Sequence, residues 1–497
     1  MQLSDPWFLL CFLPACLLGF YVIGRISRSA AVGFLAAASI AFYAVAGVLA
    51  ACVILGAAAV NLVIGRAMLA TESAGRRKAL LWGGVAANVA LLAYFKYTGF
   101  LLMNVAVLTG GAWRASAVML PLGISFSTFQ RIALLVDVHR GKVKDLPWLD
   151  YALFSVFFPC AVAGPITRGQ EMLPQFRELR ARFSSEGFAE GLSIFVVGLA
   201  KKVLIADSLQ AVSSQVFDGY AIGTHGDALT AWVGVIAYSL QIYYDFSGYS
   251  EMALGLARMV GLRLPVNFNS PYKANSITGF WNRWHITLSR FLRDYLFTPM
   301  SGGHSFLPRR YAALMATMLI AGLWHGAQWR FVVWGGLHGA LLVANHAWRE
   351  LAGRYPAAFA RVSSKRMRPL GQGITFLSVT VAWVFFRAAD MATAGSMIKS
   401  LAGVGCPFLH MGAEGVRQYF VPVAGVAIVL VYTLWAPGTI AIFSKAGPFI
   451  ESMPVIRTRW RWVPTWRSAA VIGMLAFLVF RAYFAATEFV GFTYANF

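Results

Sequence analysis

One histidine stands where a titratable side chain is costly. His325, in the string Trp324-His325-Gly326, lies within residues 311–329, a stretch without any Asp, Glu, Lys or Arg. An uncharged helix of about 19 residues can cross the roughly 30 Å hydrocarbon layer of a bilayer, and ionisable groups at such depth usually line a cavity or a pathway. Apolar surroundings keep an imidazole neutral, and a neutral imidazole can accept a proton from a hydroxyl group. The string therefore indicates a general base, although a histidine that only bonds a neighbouring helix fits the position equally well.

A second histidine lies in an amphipathic segment. With a rotation of about 100° per residue, residues 277–298 place aromatic and leucine side chains on one arc, together with Trp284 and His285, and place Arg283 and Arg290 opposite them. The pattern predicts one continuous amphipathic helix that lies at the membrane interface or covers a cavity. An aromatic membrane anchor, in which the histidine only packs, is the alternative.

A carboxylate follows an apolar helix upstream of that segment. Asp245 ends the helix predicted for residues 228–245, and Ser247 and Gly248 come soon after it. A carboxylate at such depth needs a partner or water. Asp245 therefore either orients a functional group or has a structural role such as capping a helix end.

The composition identifies the class of protein that holds these residues. Of 497 residues, 59% are hydrophobic and only 12% are charged, whereas soluble proteins carry about 25% charged residues. The chain is predicted to be an all-α polytopic membrane protein with about 11–13 transmembrane or re-entrant helices. Residues 160–165 predict a re-entrant or broken helix that protein or a water-filled cavity must cover. Apolar runs fall at about 6–24, 30–47, 49–65, 79–98, 99–109, 121–138, 149–163, 187–206, 228–245, 311–329, 331–348, 373–388, 418–436 and 467–487.

The net charge of +22 fits a membrane topology better than nucleic-acid binding. Basic residues fall mainly between the apolar runs, as the positive-inside rule requires. Arg25 and Arg28 follow the first run, several more follow the third, and none lies near Gly47 between the second and third. The N-terminus is therefore expected outside the cytoplasm, and the basic cytoplasmic face is expected to attract anionic membrane lipids and an anionic cofactor. The remaining histidines have no metal-ligand spacing on one helix face, so no metal is expected.

Several strings of residues, in order from about residue 120 to 390, resemble the membrane-bound O-acyltransferase family. Two more match the branch of that family which contains the alginate O-acetylation membrane subunit. The family strings are 158–168, 238–250, 280–289 and 323–326, and the branch strings are 121–126 and 383–388.

The resemblance implies a fold and a site. The implied fold is a single membrane-embedded acyltransferase domain over residues 1–497, with its motif core at about 120–390 and a ring of tilted helices around a central funnel or tunnel. In this family the histidine of the Trp-His-Gly string is catalytic, which implies a catalytic His325 with His285 as a second catalytic histidine. The expected substrate-binding residues are Asp245, Trp324, Trp284 and Arg283.

The resemblance also implies a reaction. We expect the protein to take acetyl groups from cytoplasmic acetyl-CoA and to deliver them across the bacterial inner membrane, for O-acetylation of an exported polysaccharide such as alginate or cellulose. The expected partners are a periplasmic acetyltransferase of the SGNH type and the polysaccharide synthase or export machinery. Two alternatives stay open: D-alanyl transfer to teichoic acid, and a transporter or flippase without catalysis. Loss of O-acetylation in a His325→Ala variant would separate catalysis from transport.

Overall fold

The structure, a computed structural model, describes residues 2–111, 120–224, 226–302, 307–359, 365–405, 413–443, 461–485 and 491. Helices form all the regular secondary structure of these residues, with short π-helical or 3₁₀ turns at some ends. The α-helices are α1 Leu13–Ile23, α2 Arg28–Ala46, α3 Val48–Ala70, α4 Ala74–Thr109, α5 Ile124–His139, α6 Trp148–Val156, α7 Gly169–Glu178, α8 Ser185–Ala200, α9 Asp207–Ala221, α10 Ala228–Met259, α11 Ile277–Trp281, α12 Ile286–Phe291, α13 Thr298–Ser301, α14 Leu307–His325, α15 Trp329–Arg354, α16 Pro356–Phe359, α17 Arg368–Arg387, α18 Met391–Leu401, α19 Ala413–Trp435, α20 Thr439–Phe443 and α21 Trp466–Ala485.

The prediction of an all-α polytopic membrane protein is confirmed. Among the described helices, five are long and apolar enough to cross a bilayer, namely α2, α3, α4, α17 and α21. The predicted runs 79–98 and 99–109 form the single helix α4, and α10 continues well past the predicted end at residue 245. A helix that leaves the apolar layer continues until a capping or turn signal stops it, so hydropathy alone misplaces such ends.

The chain divides into two compact units. The first comprises Met1–Leu199, Gly248–Val266 and Ala441–Asn496, and the second comprises mainly Ala200–Ser247 and Asn267–Ile440. In the first unit α3 and α4 pack together, and Asn61 and Asn88 bond each other across that contact. The single domain, the ring of helices and the central funnel stay predictions.

The predicted broken helix lies in the first unit. Phe158–Cys160 forms a 3₁₀ turn, and residues 161–168 continue as buried, non-helical chain. The side-chain amide of Gln130 on α5 donates to the carbonyl oxygen of Phe154 and to the Thr167 hydroxyl, both at 2.9 Å. The predicted break in the helix is therefore confirmed, and the segment has the protein cover that irregular backbone needs at membrane depth.

The second unit contains the residues predicted for the site. Within it α14 packs along α15, and α15 also contacts α11 and α17. The prediction of one continuous helix over residues 277–298 is wrong, since α11 ends at Trp281 and α12 begins at Ile286. His285, between them, has a φ of 42°, a left-handed conformation that a helix cannot contain. The helix predicted for residues 311–329 ends at His325.

Candidate active site

Glycines allow α14 and α15 to approach closely. A Cβ atom at Gly322 would overlap the carbonyl oxygen of Phe331, and one at Gly335 would overlap the carbonyl oxygen of Met318. Small residues at such positions let two backbones come together, which is a common way of joining helices in membranes. The contact brings the C-terminal end of α14 against the first turns of α15.

His325 is the last residue of α14 and lies in an aromatic pocket. Its ring centroid is 4.8 Å from that of Trp324, 5.1 Å from Trp334 on α15 and 5.2 Å from Phe386 on α17. The residue is buried, with 5% of its surface exposed. A Cβ atom on Gly326 would overlap the ring of Phe331, which explains the glycine of the Trp-His-Gly string.

A third histidine, which sequence reasoning missed, belongs to the same aromatic cluster. His338 on α15 is fully buried, with its ring centroid 4.7 Å from Trp334 and 5.2 Å from Trp281. Neither ring nitrogen has a hydrogen-bond partner among the described residues. A buried polar group without a partner is rare and calls for an explanation. The sequence signal was available, because His338 also stands in an uncharged run and precedes a glycine.

His285 is held in its left-handed conformation by a residue from another segment. The side-chain Oδ1 of Asn267 accepts from the Thr287 hydroxyl at 2.6 Å and from the Thr287 backbone N–H at 3.4 Å. The backbone N–H of Ile286 donates to the Asn267 carbonyl oxygen at 2.9 Å. The His285 ring is 1% exposed and meets Phe246 edge-on, with 4.7 Å between centroids. Strained backbone of this kind is concentrated at functional sites.

Indole rings connect the neighbourhoods of the two predicted histidines. Trp383 on α17 lies 5.0 Å from Trp284, the residue before His285, and 5.7 Å from Trp334, which touches His325. All three indoles are buried. Both predicted histidines therefore belong to one aromatic core in the second unit.

Asp245 and Arg283, the other two predicted substrate-binding residues, make polar contacts with neighbouring segments. Asp245 is buried 3.2 Å from the ammonium group of Lys202, which also pairs with Asp207 at 2.5 Å. A buried carboxylate needs a partner of this kind, so these contacts fit the structural role that was one of the two predictions for Asp245. Arg283 is half-buried, and its carbonyl oxygen accepts from the backbone N–H of Asn269 at 3.0 Å. Substrate contacts of Asp245 and Arg283 stay predictions.

The arrangement suits acyl transfer. The imidazole of His325 is surrounded by aromatic rings, and a neutral imidazole can accept a proton. The indole N–H of Trp334 donates to none of the described residues and is therefore free for a ligand oxygen. Within the described part of the chain, no group of three or more His, Cys, Asp or Glu side chains is placed to hold a metal ion.

These features define a polytopic helical membrane protein with a buried, histidine-centred site. Residues 77–388 match the model of MBOAT, the membrane-bound O-acyltransferase family. The chain therefore belongs to this family and is an acyltransferase, which confirms the resemblance found in the sequence.

Similar proteins modify different polymers. A peptidoglycan O-acetyltransferase from Helicobacter pylori is 35% identical over 440 residues, covering 83% of this chain and 82% of the relative. A probable alginate O-acetylase AlgI from Pseudomonas aeruginosa is 37% identical over 414 residues, covering 82% of this chain and 75% of the relative. A teichoic acid D-alanyltransferase from Streptococcus thermophilus is 27% identical over 284 residues, covering 53% and 68%.

Proposed function

We propose that the protein moves acetyl groups from cytoplasmic acetyl-CoA across the bacterial inner membrane for O-acetylation of an exported polysaccharide. The similarity to relatives named as O-acetylating enzymes of alginate and peptidoglycan supports the acetyl group and the glycan. The single observation that carries the mechanism is the position of His325, buried at the end of α14 among three aromatic rings.

In the proposed reaction His325 is the general base. Its neutral imidazole takes the proton of an acceptor hydroxyl while the hydroxyl oxygen bonds to the acetyl carbonyl carbon. The carbon–sulfur bond then breaks, and the imidazolium returns the proton to the leaving thiolate. The products are the O-acetylated acceptor and the free thiol of the coenzyme.

Three other groups are assigned to the same step. The indole N–H of Trp334, beside His325, stabilises the oxyanion that develops on the carbonyl oxygen. The ring nitrogens of His338, next to Trp334, bond the acyl donor within the aromatic core. His285 holds the donor at the other end of this core.

The proposal includes partners and orientation. The N-terminus lies in the periplasm, because the first and third loops are basic and the second is uncharged. A periplasmic acetyltransferase of the SGNH type receives or directs the acetyl group, and the synthase or export machinery supplies the glycan. Coexpression and copurification of such a protein with this one tests that part.

The test of catalysis is a transfer assay with purified protein in proteoliposomes, its periplasmic partner and acetyl-CoA labelled in the acetyl group. Thiol release and labelled O-acetyl ester are measured for wild type, His325→Ala and His346→Ala. His346 is a half-buried histidine on α15 whose ring lies 2.8 Å from Arg310, so it is a matched control outside the aromatic core. Loss of a general base is expected to slow transfer by roughly 10²–10⁴-fold, whereas His346→Ala should keep the rate.

Other results would contradict the proposal. A folded His325→Ala protein with an unchanged rate would remove the catalytic role of this histidine. Thioester cleavage that never depends on the protein would favour a transporter or flippase. A parallel assay with a D-alanyl donor addresses the D-alanyl alternative, since a teichoic acid D-alanyltransferase is among the relatives.

A further inference from the structure

A cavity of about 660 Å³ lies in the second unit, beside α11, α15 and α17. Its wall contains residues 275–277 at the start of α11, Leu341, Asn345 and Trp348 on α15, and the first half of α17. His325 and His338 do not line it, so it is separate from the aromatic core described above.

Several polar groups on the cavity wall can donate hydrogen bonds to a ligand. The guanidinium group of Arg368 makes no ion pair or hydrogen bond within the described residues, and neither does the hydroxyl of Ser378. Asn345 accepts from the Thr278 hydroxyl at 2.7 Å through its oxygen, which leaves its amide N–H groups for a ligand. None of the described lining residues is acidic. A cation with neutral donors beside it is suited to a phosphate group.

The cavity also borders the apolar surface of a membrane span. α17 is one of the candidate spans, and its Leu370 and Ile374, which line the cavity, are more than half exposed. Trp348 is exposed on the opposite wall, and tryptophan is enriched where a helix meets the bilayer interface. A ligand that fits both features has an anionic head and apolar chains.

The charge of the adjoining loop indicates on which side of the membrane the cavity lies. Residues 349–368 contain six Arg or Lys residues and one acidic residue, Glu350, which is bonded to Arg310 and Tyr311. Short loops with such an excess of basic residues lie in the cytoplasm. Basic pockets between helices at that face bind anionic lipid head groups.

We propose that this cavity is a binding site for an anionic phospholipid of the cytoplasmic leaflet. The phosphate bonds Arg368 and Asn345, and the acyl chains lie along Leu370 and Ile374 toward Ser378, which is ten residues further along α17. A soluble nucleotide carries the same phosphate chemistry, but it has no apolar chains to pack against a wall that faces the bilayer. The inference goes beyond the proposed acetyl transfer and does not depend on it.

The experiment measures lipid binding to the full-length protein. The protein is held in nanodiscs of neutral phosphatidylcholine, phosphatidylglycerol is titrated in, and retained lipid is counted by native mass spectrometry after release into detergent. Arg368→Gln removes the cation, and Ser378→Phe fills the cavity without changing its charge. Arg366→Gln is the matched control, because Arg366 is exposed in the same loop and does not line the cavity.

The expected result is specific retention of phosphatidylglycerol over phosphatidylcholine. Both cavity variants should weaken that retention by roughly fivefold to tenfold, since Arg368→Gln removes a charged contact to the head group and Ser378→Phe fills the space for the acyl chains. Arg366→Gln should weaken it by less than about twofold. Thermal unfolding of each variant identifies any that is misfolded, and either cavity variant alone decides the outcome.

Three outcomes would overturn the proposal. Equal retention of the two lipids would mean that the cavity does not recognise the anionic head. Equal losses in Arg366→Gln and Arg368→Gln would mean that only the general surface charge matters. Displacement of phosphatidylglycerol by coenzyme A added at the same concentration would assign the cavity to a nucleotide instead of a lipid.

Discussion

Two pairs of packed helices differ in whether their buried polar side chains have hydrogen-bond partners. Between α3 and α4 the amide group of Asn61 donates to Asn88 at 3.2 Å, and that of Asn88 donates back at 2.8 Å. Each also donates to the carbonyl oxygen four residues earlier in its own helix, at 2.8 Å. On α15, which packs against α14, the nitrogens of His338 and the indole N–H of Trp334 by contrast have no hydrogen-bond partner among the described residues.

This difference in hydrogen bonding distinguishes polar residues that join two helices from polar residues that are available to bind a ligand. A polar pair that satisfies itself stabilises a helix contact in an apolar environment. Polar atoms that stay open lower stability, because each loses its water without gaining a partner. Such a loss is tolerated at a site whose substrate supplies the missing partner, and the proposed mechanism assigns that role to α14 and α15.

The largest loss of stability is expected from a substitution at the contact between α14 and α15. Gly335→Ala puts a methyl group into the carbonyl oxygen of Met318, whereas Gly336→Ala places its Cβ 3.6 Å from the nearest atom of Leu319, an ordinary contact. Overpacking of this kind costs roughly 1–3 kcal/mol. Gly335→Ala should therefore lower both thermal stability and acetyl transfer, because Trp334 beside it touches His325.

Thermal unfolding and transfer rates of the two glycine variants check this prediction. Equal behaviour of Gly335→Ala and Gly336→Ala would mean that the close approach of α14 and α15 does not position the site.

Hydropathy and composition predicted the fold class correctly, and the uncharged run around His325 predicted its helix to within a few residues. That helix stops where the sequence gives a local signal, the glycine after His325. The prediction of a continuous helix over residues 277–298 was wrong, and the local sequence pattern could not show why. Asn267, about twenty residues away in sequence, supplies the bonds that hold the turn at His285.

Site prediction from sequence relied on local strings and could not include features that distant segments form together. His285 and His325 were found because each follows a tryptophan in a recognisable string. His338 was missed although it stands in an uncharged run, because no tryptophan string marks it and its place beside Trp281 and Trp383 depends on two other helices. The cavity beside Arg368 likewise depends on three helices that only the folded chain brings together.

A smaller loss of stability is expected when the hydrogen-bonded pair of Asn61 and Asn88 is broken. Asn88→Leu leaves the amide of Asn61 without its cross-helix partner, which should cost about 1–2 kcal/mol of stability. The double variant Asn61→Leu/Asn88→Leu should recover part of that loss, because no buried amide is then left unpaired. Transfer per folded molecule should stay at the wild-type rate in both. A single variant as stable as the wild type would show that the pair does not join α3 and α4.

The smallest stability change is expected for His338→Phe, since a similar volume is kept and two unpaired buried nitrogens are removed. The free energy of unfolding should change by less than about 1 kcal/mol, in either direction. Transfer should nevertheless fall by up to about tenfold, the value of one hydrogen bond to the acyl donor. The transfer assay and thermal unfolding, run on the same preparation, separate the two effects. A stable variant with an undiminished rate would make His338 a packing residue, and its unpaired nitrogens would then no longer distinguish the pair α14 and α15 from α3 and α4 in function.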